Sequence, residues 1–192
     1  MQICSVITDE EVKRKIHQMD DMLQKATTIE FMDSFIEIVS GAMKVENITV
    51  DSSVHILHLL TSFTQVIGKI LDKTNETFAG TGTDDLSVGV SLQKKMDTHI
   101  LITRNHSGAM HLNISFVEPH MDNQSLCSAS IPDSAFKSSQ KNNLQGIVYN
   151  EPTLFITNSS NSISIASVIL SIVIGDEKFN ESTPLEESVT LI

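Results

Sequence analysis

The chain has no tryptophan, one tyrosine, two cysteines and four prolines among its 192 residues. Two cysteines are too few for a small domain held together by disulfides, and no Cys/His spacing typical of a zinc site occurs. Basic residues are also scarce, with 13 against 24 acidic ones and a formal net charge of −11. Because no basic patch is available to contact phosphates, this balance argues against nucleic acid and against an anionic membrane surface as partners.

Long apolar runs are missing as well. The longest, residues 163–174, is interrupted by serines and falls short of the roughly 18 residues of a membrane span. Residues 1–15 lack the apolar segment of a signal peptide, and residues 188–192 have the pattern of a strand that has just begun. We therefore expect a fragment of a longer chain, with no signal peptide or transmembrane span of its own.

No arrangement of residues predicts chemistry. Seven histidines are scattered; His55 and His58 share a helical face but lack a third ligand, so they are interpreted as the polar edge of a buried helix. No HExxH or GxSxG pattern occurs, and residues 80–82 are not followed by the lysine of a phosphate-binding loop. The sequence predicts no enzyme, no catalytic residue, no metal site and no cofactor.

Asn-x-Ser/Thr sequons are what the chain has in excess. There are seven, against about two expected by chance from the Asn, Ser and Thr content. Sequons matter only in a secreted chain, where they are surface acceptors for N-glycans. The alternative is an accident of a Ser/Thr/Asn-rich cytosolic sequence. The predicted glycosylation sites are Asn47, Asn75, Asn105, Asn113, Asn123, Asn158 and Asn180.

The two cysteines, Cys4 and Cys127, leave three alternatives open. They could form a disulfide between positions 123 residues apart, remain buried free thiols, or Cys4 could pair with a residue upstream of the fragment. The first alternative would tie the N-terminal part of the chain to its C-terminal part.

The first 75 residues have helical periodicity and predict three helices. The first begins with a capping box of Thr8 and Glu11, the second is capped by Thr28, and the third starts after residues 51–52. Apolar residues recur at spacings of three and four. These stripes are Val12, Ile16, Met19 and Leu23; Met32, Phe35, Ile36, Val39 and Met43; and Ile56, Leu59, Leu60, Phe63, Ile67, Ile70 and Leu71, widened by Val54, Leu57 and Val66.

From residue 76 the apolar period changes to two. Residues 78–85 are predicted as a Gly/Thr/Asp turn region, and alternation in 86–92, 110–116 and 163–174 predicts strands, with a bulge or corner near 166–167. Shorter apolar runs bring the expected number to between six and eight. The predicted fold is therefore α+β, with a helical subdomain over residues 1–75 and an antiparallel β-sandwich subdomain over residues 76–192.

The order of these segments resembles that of a known family. After the helices come residues 86–92, 110–117, 130–132 with 135–136, 146–149, the serine-rich 161–172, and 188–191. This order resembles the GAIN domain of adhesion G-protein-coupled receptors, such as the latrophilins. The resemblance implies that residues 1–75 are the tail of helical subdomain A and that the sandwich is an incomplete subdomain B. It implies an extracellular, juxtamembrane location on the plasma membrane, as part of a longer membrane protein.

The sequence departs from that family at the autoproteolysis site. It has no His-Leu-Ser/Thr tripeptide and no tryptophan, so no catalytic residue is carried over. The resemblance implies two partners in the parent chain, the downstream tethered-agonist strand and the seven-helix domain, together with an extracellular protein ligand. Its implied function is to hold the agonist segment and to couple adhesion or force to receptor signalling. Without that strand we expect an exposed apolar groove and low stability. The alternative is a secreted β-sandwich domain that binds a ligand and is unrelated to receptors.

Overall fold

A computed structural model describes residues 9–45, 48–92, 97–104, 106, 108, 110–136, 143–150, 153–155, 169–174 and 190–191. The helices described in these ranges come first: α1 (Asp9–Lys25), α2 (Met32–Met43) and α3 (Val50–Thr74). Eight strands follow within the same ranges: β1 (Phe78–Gly82), β2 (Leu86–Leu92), β3 (Thr98–Arg104), β4 (Met110–Ser115), β5 (Ser125–Ile131), β6 (Asn143–Tyr149), β7 (Ile169–Ile174) and β8 (Thr190–Leu191). Short 3-10 turns lie at Ile29–Phe31, Asp133–Phe136 and Thr153–Phe155.

The helices bury nearly all of the stripes that their periodicity predicts. Most stripe residues are less than 8% exposed, and Leu23 is partly buried. Val54 is the exception: it is 46% exposed, so its assignment to the buried side was wrong. At about 100° per residue it lies roughly 160° around the helix from Ile56, on the side that faces solvent.

Helix starts differ in how they are capped. The side chain of Thr49 accepts a hydrogen bond from the Ser52 amide at 3.2 Å, so α3 begins at Val50, slightly earlier than predicted. Thr28 makes no side-chain cap bond and instead precedes the 3-10 turn that leads into α2, so its predicted capping role was wrong. The proposed Thr8 cap lies outside the described residues. Helix α3 ends at Thr74 and is followed by Asn75, which has left-handed backbone angles (φ 58°).

Among the described helices, α3 is long and apolar enough to cross a membrane by length and composition. Here it is the central core helix, with eleven of its residues buried. Phe63 on α3 stacks on Phe35 of α2 with ring centroids 4.3 Å apart, and Phe31 meets both rings edge-on. The helices and one sheet share a single apolar cluster.

The strands form two antiparallel four-stranded sheets. Sheet A has the order β1-β2-β6-β7 and sheet B the order β4-β3-β5-β8. Sheet A packs on the helices with one face and on sheet B with the other, which gives a sandwich with its own apolar core. The architecture is therefore α+β, as the change of periodicity predicts.

Residues 78–82 were wrongly predicted as part of a turn. They form β1, paired with β2 from Phe78 opposite Ser91 to Gly82 opposite Ser87, and only residues 83–85 make the turn. Glycine and threonine are typical of turns, and β1 has no apolar alternation that would indicate a strand. It is a strand because it pairs with β2, and that pairing is not visible in the local sequence. The phase change predicted near 166–167 lies outside the described residues.

Candidate functional site

Three of the seven predicted glycosylation sites lie in the described residues, and all three side chains are exposed. Asn75 follows α3, Asn113 points outward from β4, and Asn123 lies in the turn before β5. The hydroxyl of Ser125, in the Asn123 sequon, donates a 2.9 Å hydrogen bond to Asp122 and thereby lowers the pKa of that carboxyl. Asn47, Asn105, Asn158 and Asn180 lie outside the described residues.

Cys127 is half-buried on β5, at the margin of the sandwich core. Burial raises the pKa of its thiol, so the unreactive protonated form is favoured at neutral pH. Cys4 lies outside the described residues, and the disulfide between the two remains a prediction.

Within the described part of the chain, the histidines are not grouped as metal ligands. His55 and His58 are exposed on α3, and His55 Nε2 lies 3.7 Å from a carboxylate oxygen of Asp20 on α1. Among the described residues, no group of three or more His, Cys, Asp or Glu side chains is arranged to hold a metal ion.

The sandwich is closed on the side where β1 meets β4. The Met110 amide donates to the Thr83 carbonyl at 3.3 Å, and the Leu112 amide donates to the Ser87 hydroxyl at 3.0 Å. Leu112 then reaches across to sheet A, where it packs on the paired glycines Gly89 and Gly146. A Cβ on Gly89 would overlap Leu112 Cδ2, so these glycines allow the two sheets to approach closely here.

The opposite side of the sandwich, which we call the open edge, is apolar and only half covered by the described residues. All six side chains of β7 are partly exposed, and in the described part of the chain neither β7 nor β8, the edge strands on this side, is hydrogen-bonded to the other sheet. The open edge is defined by four side chains that pack against the sandwich core while remaining partly accessible: Cys127, Leu170, Ile172 and Ile174.

A second concavity lies between α3 and the other face of sheet A. This groove has a volume of about 400 Å³ and carries no charged side chain among its lining residues. The hydroxyl of Thr64 donates to the Gln145 side chain at 2.5 Å, and Tyr149 packs edge-on against Phe155 at 5.0 Å. Burial raises the pKa of the Tyr149 hydroxyl, which therefore stays protonated well into the alkaline range.

A polar network that the sequence did not predict surrounds the turn between β1 and β2. Asp85 in this turn is 9% exposed; its carboxylate accepts a hydrogen bond from the Ser40 hydroxyl on α2 and lies 3.0 Å from Nζ of Lys44, the residue that follows α2. Its carbonyl accepts from the Asn150 amide at 2.8 Å. Arg104 Nη2 at the end of β3 donates to Asn150 Oδ1 at 2.6 Å. No local motif marks this network, because its members are brought together from four separate segments.

No protein-family model and no curated protein sequence matches the chain. Among solved structures it is similar to the full extracellular region of zebrafish Gpr126 (Adgrg6), an adhesion G-protein-coupled receptor, with a TM-score of 0.67 and 12% identity. The match covers 90% of this chain and 24% of that one. At this identity the likeness shows the fold, and it confirms at that level the resemblance to adhesion receptors and the α+β class. The similar protein is a receptor region and not an enzyme.

Proposed function

We propose that this chain, which has the fold of part of an adhesion receptor's extracellular region, is an extracellular module of such a receptor. In this proposal the sandwich holds a strand from elsewhere in the parent chain and couples adhesion or force to signalling. Support comes from the open edge: Leu170, Ile172 and Cys127 present apolar surface that an added strand would bury. Such burial stabilises the bound strand by about 25 cal/mol per Å² of apolar surface removed from water. The strand would therefore be held more tightly when more of its apolar surface contacts the open edge.

The transcript beyond Ile192 is the first test of the receptor assignment. A reading frame that continues into spans of about 20 apolar residues supports a receptor module. A reading frame that stops without such spans removes the receptor assignment and favours the second candidate below.

Cross-linking in the parent chain tests the strand-holding role. Cysteines are placed one at a time along the downstream strand, and disulfide formation is measured with Cys127, and separately with Ile172→Cys in a Cys127→Ser background. A strand bound at the open edge cross-links at every second position, because successive side chains of a strand point to opposite faces. Positions in an exposed loop, such as Val117→Cys, serve as the control. Uniform cross-linking, or none, contradicts the proposal.

The uncharged groove between α3 and β7 favours a second candidate, a secreted ligand-binding domain. Its volume of about 400 Å³ falls within the range of small-molecule sites, and its lining combines apolar walls with the polar groups of Thr61, Thr64 and Gln145. A fluorescent sterol and a fluorescent fatty alcohol are suitable neutral probes. Saturable binding that Thr61→Phe abolishes would support this candidate, whereas binding unaffected by that substitution would contradict it.

A further inference from the structure

Helix α2 is attached to the β1–β2 hairpin near both of its ends. Near its start, the Thr81 hydroxyl on β1 donates to Asp33 at 2.6 Å. Near its end, Ser40 and Lys44 both contact the carboxylate of Asp85 in the hairpin turn. Because both contacts are made to one hairpin, α2 and the hairpin are expected to move together.

The same turn is bonded to both sheets. Asp85 accepts from the Asn150 amide at the end of β6, and Asp84 accepts from the Asn150 side chain at 3.1 Å. Thr83 accepts from Met110 of sheet B. Residues 83–85 are therefore the point at which the helical layer, sheet A and sheet B meet through hydrogen bonds.

The Asp85 carboxylate connects this junction to the helical layer. Its side chain is 13% exposed, and the carboxylate is paired with the Ser40 hydroxyl on α2 and with the ammonium group of Lys44, the residue that follows α2. A buried carboxylate that loses its partners is strongly destabilised. We therefore expect the contacts of Asp85 with Ser40 and Lys44 to break in one step, together with the hydrogen bonds that hold residues 83–85.

We propose that the β1–β2 turn is a mechanical junction, in which Asp85 transmits displacement of α2 to the closed side of the sandwich. When the Asp85 contacts with α2 break, the hydrogen bonds from Met110 and Asn150 to the turn loosen as well. The opposite end of the hairpin, where the Leu92 amide donates to the Thr77 carbonyl at 2.9 Å, stays closed. This inference does not depend on the assignment to a receptor.

Amide hydrogen exchange resolved by residue tests the junction in the whole chain. Ser40→Ala is the main variant, because Ser40 contacts neither sheet B nor Asn150 yet should affect both. We expect roughly tenfold faster exchange at Met110 and Asn150, since a hydrogen bond to a charged group contributes at least that much to local opening. Exchange at Leu92 should be unchanged.

A matched control removes a helix–sheet contact elsewhere. Thr64→Val deletes the hydrogen bond between α3 and Gln145 and makes no change in the turn. The ratio of the amide exchange rates at Met110 and Asn150 to the rate at Leu92 should stay as in the wild type. Asp85→Asn should reproduce the pattern of Ser40→Ala, and the double variant should exchange no faster at Met110 than Asp85→Asn alone. Equal acceleration at Leu92 and Met110 would mean general destabilisation and would overturn the proposal, as would an unchanged Met110 rate.

Discussion

At the scale of single residues, two features of the sandwich depend on particular side chains: a pair of glycines between the sheets and the chain's one tyrosine. Gly89 and Gly146 are cross-strand neighbours that receive Leu112 from the opposite sheet. Tyr149 is the chain's one tyrosine and lies beneath the groove at the end of β6. Both features are accessible to direct measurement.

Replacing Gly89 by alanine should destabilise the fold by about 1–3 kcal/mol, because the added methyl group overlaps Leu112 in a packed core. The midpoint of urea unfolding measures the effect. Combining Gly89→Ala with Leu112→Ala should cost less than the sum of the two single changes. Gly41→Ala is the control: its methyl group would meet only the flexible end of Lys15 and should stabilise α2 by about 0.5–1 kcal/mol.

Tyr149 should ionise only when the protein unfolds. Burial raises its pKa, so between the ordinary value near 10 and the folded value the unfolded state has already lost the proton that the folded state keeps. Stability should therefore fall as pH rises above about 10, by roughly 1.4 kcal/mol per pH unit from this group. Tyrosinate absorbance is a direct reporter, since the chain has no tryptophan and no second tyrosine.

Tyr149→Phe separates this contribution from that of the other alkaline groups. The variant should lose less stability between pH 10 and 11 than the wild type. An absorbance titration of the folded protein centred near pH 10 would contradict the assignment of a buried hydroxyl.

At the scale of elements, helices could be predicted from the sequence and the strand partners could not. A helical stripe is local, so Val12 to Met19 or Phe35 to Met43 already specify the buried side. Strand β1 was missed because its pairing is specified by β2, and the Asp85 network was missed because Ser40, Asp85, Arg104 and Asn150 are far apart in the chain. Val54 shows the limit within a helix, since an apolar residue alone does not specify the face it occupies.

Capping makes a prediction at this scale. Thr49→Ala should destabilise the protein by about 1 kcal/mol, because it removes the acceptor for the Ser52 amide at the start of α3. Thr28→Ala should have little effect, because Thr28 makes no side-chain cap bond. Thermal unfolding of the two variants compares the two positions directly, and equal losses would refute the difference in capping.

At the scale of the whole molecule, the sandwich is asymmetric. One side is closed by hydrogen bonds from the Met110 and Leu112 amides and by glycines that bring the sheets together, and the other presents partly exposed isoleucine and leucine side chains. The exposed apolar groove expected from the sequence stays a prediction.

The open edge should bind an environment-sensitive apolar dye in the isolated chain. Ile172→Glu should reduce the fluorescence of the bound dye several-fold, whereas Val117→Glu, at a loop position that is 73% exposed, should not. A sharp two-state melt at high temperature without dye binding would contradict the expected low stability of the isolated chain.

Glycosylation is the remaining prediction at this scale. In material from a secreting cell, glycopeptide mass spectrometry should find modified Asn75, Asn113 and Asn123, which are all exposed. Substituting each by glutamine should remove one glycan's mass per site. Unmodified asparagines at all three positions would favour the accidental origin of the sequons.

The core helix α3 has a consequence for biosynthesis if the protein is exported, as we propose. A translocation channel meets these 25 residues before any tertiary contact exists, and by composition they qualify as a span. Near the middle of the helix, His58, Thr61, Thr64 and Gln65 place polar groups that oppose lateral release into lipid. Thr64, which bonds Gln145 of β6 in the folded protein, thus also favours passage of the nascent chain into the lumen over insertion into the bilayer.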